Sequence, residues 1–108
     1  MRVAIDSNRY VDFAKGVPEA VERLRRADDI FVPFEASLVR FLNSPRVDLS
    51  FADEETTHHY ARLFHQLRRQ GTPIPTNDLW IAALVVQHEL HLFARDAHFD
   101  HLPQIPRL

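Results

Sequence analysis

The spacing of apolar positions changes several times along the chain, and each change predicts an element. Val3-Ala4-Ile5 is a continuous apolar run, the pattern of a strand buried on both faces. Asp6-Ser7-Asn8 follows as turn and N-cap material, leading into a short helix that runs to about Lys15 and is closed by Gly16. Pro18 suits a first helical position, and Ala20, Val21 and Leu24 form the apolar stripe of a second helix. Glu19/Arg23 and Glu22/Arg26 are i,i+4 pairs on its wet side. Ile30-Phe31-Val32 reads as a second strand stopped by Pro33. Phe34, Leu38, Phe41 and Leu42 then share one face of a helix ending near Asn43-Ser44-Pro45. Val47, Leu49 and Phe51 alternate with Asp48 and Ser50, which predicts a third, half-exposed strand.

Asp53-Glu54-Glu55 places acids at the positive end of the next helix, and Arg68-Arg69 places bases in its last turn before Gly71. Tyr60, Leu63, Phe64 and Leu67 are its predicted core stripe. Thr72 to Thr76 is a stiff loop with two prolines. From Leu79 to Val86 the chain is apolar all round, the mark of a buried helix. Leu90, Leu92 and Ala94 predict a fourth strand, and the tail from Leu102 to Leu108 has room for a sliver of edge strand. Strands alternating with helices predict one α/β domain over residues 1–108: three layers around a mainly parallel sheet of four to five short strands.

Composition narrows the function classes. The 108 residues are 45% hydrophobic and 26% charged, which excludes disorder, and no apolar run approaches the roughly 20 residues of a membrane span. The opening Met1-Arg2-Val3-Ala4-Ile5-Asp6 meets a carboxylate too early for a signal-peptide core. With no cysteine, disulfides and thiolate zinc sites are excluded, and a reducing cytoplasm is the expected compartment. The net charge of -2 shows no bulk basicity. Lys15 is the only lysine among thirteen basic residues; the arginines suit a local phosphate-facing patch, or reflect a lineage bias.

In a parallel sheet, ligands bind beyond the carboxyl ends of the strands. Asp6 follows the first strand, Asp96 follows the fourth, and Asp78 stands at the start of the buried helix, with Thr76 or Asn77 as its cap. If the first and fourth strands are neighbours, the three carboxylates converge. Crowded carboxylates raise each other's pKa unless a cation shares them, and hard oxygen ligands suit Mg²⁺ or Mn²⁺. Taken singly, each acid has a plainer role: Asp78 answering a helix dipole, Asp6 and Asp96 forming turns.

Three blocks, Met1 to Asn8, Pro75-Thr76-Asn77-Asp78-Leu79-Trp80-Ile81-Ala82-Ala83 and Arg95-Asp96-Ala97-His98-Phe99, together resemble the PIN-domain family, and more closely the VapC-type toxin ribonucleases of VapBC toxin–antitoxin pairs. That resemblance implies a Mg²⁺-dependent endoribonuclease in which Asp6, Asp78 and Asp96 are metal-binding acids, Thr76 and Asn77 support the site, and RNA and a cognate antitoxin are the partners. A Glu in a pattern like E-L-x-x-G, usual in the family after the second strand, is absent; its place falls near Val39-Arg40. Glu35 is the nearest acid, and it either substitutes as a ligand or answers the dipole of its own helix. The chain reads as shortened after Phe34, so a catalytically weakened module that binds a protein partner or itself is the competing expectation. A receiver-like phosphoryl-transfer domain is disfavoured, because no lysine lies near the strand ends.

Seven histidines invite a zinc reading, because His88-x-x-His91 and His98-x-x-His101 bracket Asp96 and mixed His/Asp sites exist. His88 and His91 straddle a helix end and a strand, and His58 and His65 lie two helical turns apart, so neither pair chelates easily; His98 and His101 are read with them as solvated or packing residues. Finally, a full set of apolar stripes on a shortened chain predicts an apolar homodimer, with exchange of segments around Pro33 to Pro45 as one route to it.

Overall fold

The computed structural model describes residues 1–33, 47–50 and 52–108. The helix expected over Phe34 to Leu42, Glu35 within it and most of the proposed exchange segment lie outside the described residues. Four strands, β1 (Arg2–Ile5), β2 (Asp29–Pro33), β3 (Val47–Ser50) and β4 (His91–Phe93), form one parallel sheet in the order β3-β2-β1-β4. Among the described residues the count, four, is the lower end of the expected number. The predicted sliver also exists: the Leu92 amide donates to Pro106 O and the Leu108 amide to Leu92 O, making a parallel bridge between Leu92 and Arg107.

The period of two along each strand divides the core. Val3, Ile5, Ile30 and Phe93 point to one face, where α1 (Ser7–Ala14) and α2 (Pro18–Arg25) follow β1 and Ala20 and Leu24 complete the packing. Ala4 and Leu92 point to the other face, against Leu63 and Leu67 of α3 (Glu54–Gln70) and Leu79, Ala82, Ala83 and Val85 of α4 (Thr76–His88). This is the expected three-layer arrangement. β1 lies between two neighbours and has Val3, Ala4 and Ile5 all buried, which is why it reads as an unbroken apolar run.

Local signals set the helix ends. Asp6 caps α1 by accepting from the Arg9 amide at 3.0 Å, and Gly16 follows with φ 76°. Glu19–Arg23 and Glu22–Arg26 pair at 3.8 and 3.1 Å along α2. Asp53 and Thr56 form a reciprocal capping box at the start of α3, and Gly71 ends that helix at φ 73°, in the left-handed region open to glycine. Two expectations need correction. The residue before α4 is Pro75, with extended backbone, and Thr76 is already helical, so neither Thr76 nor Asn77 is the cap. Phe64 leaves the core stripe of α3: Leu63 and Leu67 are buried, whereas Phe64 is 45% exposed, stacked on Tyr60 at 6.5 Å with the Arg68 guanidinium 6.0 Å from its ring centre. The stripe is wider than the groove beneath it, and Phe64 falls on its rim.

Candidate metal centre

The register of the central pair builds the site. β1 and β4 run parallel with Ile5 opposite Phe93, and the Asp6 amide donates to Phe93 O at 3.4 Å, so the chain leaves both strands at the same edge. Asp6 therefore starts α1 beside the segment that carries Asp96. That carboxylate caps a 3-10 helix, Ala97–His101, by accepting from the His98 amide at 3.0 Å. Asp78 comes from the first turn of α4, where the helix dipole favours an acid. The three acids predicted from sequence thus meet at the carboxyl edge of the sheet. Thr76 and Asn77 stand exposed in the same first turn as Asp78.

Electrostatics record the crowding. The Asp6 carboxyl is pushed above its usual range, first by burial and then by the charges of Asp78 and Asp96, against the opposing bond from the Arg9 amide. Asp78 is raised as well, first by burial and also by Asp96, while His98 opposes the shift. Burial and like charge both penalise ionised carboxylates. A divalent cation among these oxygens relieves both penalties, so the donor set fits a hard ion.

One member of the site lies beyond the three predicted acids. His98 Nδ1 is hydrogen-bonded to Asp78 Oδ2 at 2.8 Å and lies 2.8 Å from Asp96 Oδ1, and its pKa is raised, chiefly by the Asp78 contact. Among the described residues, Asp78, Asp96 and His98 offer ligand atoms within 4.8 Å of one another. The half-exposed ring of His98, grouped by sequence with the solvated or packing histidines, sits against two of the acids; its position two residues after Asp96 was the available signal.

A second charged cluster borders the acids. Asp12, buried on α1, pairs with Arg9 at 3.4 Å and with Arg95 Nε at 3.2 Å. Arg9 lies over the Phe93 ring at 4.5 Å, and the Arg95 side chain is half exposed beside Asp96. An apolar cleft lined by Phe64, Leu67, Arg68, Pro73, Ile74 and Leu79 contains none of the acids.

Asp6 ionises in the folded state only at a cost, and this fixes a sign. A carboxyl raised on folding stabilises the fold fully below its unfolded pKa, and that contribution is lost as pH rises through the folded value. Asp6→Asn keeps the capping oxygen and removes the penalty. In EDTA, thermal melts should therefore find Asp6→Asn at least as stable as the wild type at pH 7, with the difference shrinking toward pH 4. A variant less stable at pH 7 would contradict the crowding.

No protein-family model matches the sequence. Ribonuclease VapC1 of Haemophilus influenzae strain R2866 is 34% identical over 61 residues, covering 50% of this chain and 46% of that protein. The chain thus spans about half the length of the curated relatives it matches. Among solved structures, the VapBC-1 complex of nontypeable Haemophilus influenzae superposes with a TM-score of 0.80 at 23% identity, over 100% of this chain and 97% of the other. VapBC2 from Rickettsia felis, bound to a promoter DNA fragment, gives 0.81 at 18% identity over 100% and 98%. FitAcB from Neisseria gonorrhoeae gives 0.76 at 18% over 98% and 96%. Fold and matched segment agree with the motifs read from the sequence: the chain has the fold of these VapBC structures and shares a segment with ribonuclease VapC1.

Proposed function

We propose that the chain is a metal-dependent endoribonuclease, the toxin of a toxin–antitoxin pair. The observation that carries this reading is the convergence of Asp6, Asp78 and Asp96 at the carboxyl edge of a VapC-like sheet. The similarity to a ribonuclease and to a toxin–antitoxin complex from Klebsiella pneumoniae supports RNA as substrate and an antitoxin as partner. Asp6, Asp78 and Asp96 would hold Mg²⁺ or Mn²⁺, and Glu35 is the candidate for a fourth carboxylate. When bound, such an ion polarises a phosphodiester oxygen and lowers the pKa of water.

The chain's own groups supply the rest. The α1 cap bond fixes Asp6 and the 3-10 cap bond fixes Asp96, so two carboxylates are oriented before any ligand arrives. Asp78, less buried than Asp6 and with a raised pKa, is suited to accept a proton from the attacking water. Arg95, anchored through Nε to Asp12, leaves the remainder of its guanidinium toward solvent for a backbone phosphate.

Cleavage of structured RNAs by the full chain should require Mg²⁺ or Mn²⁺ and stop on chelation. Asp6→Asn and Asp96→Asn should each lower the rate by about a hundredfold or more, in the range lost when one stabilising group is removed from an active site. No cleavage by any of the proteins, with or without metal, would instead favour the weakened protein-binding module.

The same reading includes a homodimer, supported by Phe64, a large aromatic side chain left 45% exposed beside an apolar cleft. Sedimentation equilibrium at low micromolar concentration should give the dimer mass. A stable monomer there would contradict it.

A further inference from the structure

We propose that His98 is a nitrogen ligand of this centre and makes it select a first-row transition ion over Mg²⁺. The inference rests on the proposed metal site and deepens it, because it concerns which ion that site prefers.

Backbone structure delivers the imidazole. Asp96 caps the 3-10 helix by accepting from the His98 amide at 3.0 Å, which brings the side chain of residue 98 back beside the carboxylate of residue 96. From there Nδ1 reaches Asp78 Oδ2 at 2.8 Å and lies equally far from Asp96 Oδ1. The atom that could donate a lone pair to an ion thus already faces both carboxylates. With the side chain 44% exposed, the ring is neither locked in the core nor free in solvent.

Chemistry assigns the selectivity. Carboxylates alone hold Mg²⁺ well, and Mg²⁺ keeps much of its hydration. An imidazole adds little for Mg²⁺ but strengthens binding of divalent first-row ions, in an order rising from Mn²⁺ through Co²⁺. A site with two carboxylates and one imidazole within 4.8 Å therefore falls between an oxygen cage and a nitrogen-rich one.

The test is calorimetric titration of the metal-free full chain with MgCl₂, MnCl₂ and CoCl₂ separately, with visible absorption of the Co²⁺ form as a second readout. The wild type should bind in the order Mg²⁺ < Mn²⁺ < Co²⁺. His98→Ala should lose about tenfold or more in Co²⁺ affinity, change its Co²⁺ spectrum, and leave Mg²⁺ affinity within a few-fold. His98→Asp, which supplies an oxygen donor in place of the imidazole, should hold Mg²⁺ at least as well as the wild type without the Co²⁺ preference. Equal Co²⁺ affinities and spectra in wild type and His98→Ala, with both metals weakened by Asp96→Asn, would overturn the role of His98 and keep the site. Absence of specific metal binding by the wild type would overturn the site as well.

Discussion

The parallel pairing of β1 with β4 is the constraint on which the site depends. With Ile5 opposite Phe93, the two strands end together, and Asp6 and Asp96, which follow them, lie near enough for the charge of Asp96 to act on Asp6. A slip of one residue would turn Val3 and Ile5 away from α2, toward the α3–α4 face, and separate Asp6 from Asp96. The register of β1 against β4 therefore fixes the chemistry as firmly as it fixes the core. The tail reinforces the pairing: Leu92 bonds to Pro106 and Leu108, and Arg107 donates to Ala94 O at 2.7 Å and to Asp100 at 2.8 Å.

Convergence has an electrostatic cost that folding alone does not recover. Burial and like charge raise Asp6 and Asp78, and the compensations present are local: the Arg9 amide on Asp6, the imidazole of His98 between Asp78 and Asp96. The neighbouring Arg9–Asp12–Arg95 cluster sets two guanidinium groups against one carboxylate and so keeps a net positive charge. A cation at the acids and a phosphate at Arg95 are thus complementary demands of adjacent surfaces. Under the proposed function, RNA with a divalent ion would meet both.

Most of the fold was legible because its signals are local and repeated. Val3-Ala4-Ile5, the Gly16 and Gly71 stops, the acids opening α3 and the all-apolar α4 each follow from period, capping or glycine conformation, and each is found where expected. The three acids were legible because two follow strands and one opens a helix. What escaped depends on details that periodicity does not carry. Phe64 sits on the helical stripe by sequence, yet the depth of the groove leaves it on the rim. Pro75 takes the position before α4 because its extended backbone suits it, although it has no capping side chain. His98 joins the site through one turn of 3-10 helix, too short to announce itself by spacing.

In the proposed centre, one divalent ion binds at the sheet edge defined by Asp6, Asp78 and Asp96. Titrating Mn²⁺ into ¹⁵N-labelled full chain tests it most directly, because paramagnetic broadening falls steeply with distance from the ion. The account predicts early loss of the amide signals of Asp6, Asp78, Asp96 and His98, with those of α2 and the C-terminal end of α3 retained and excess Mg²⁺ restoring the lost set. Broadening centred on His58 and His65 of α3, or spread evenly over the chain, would contradict it.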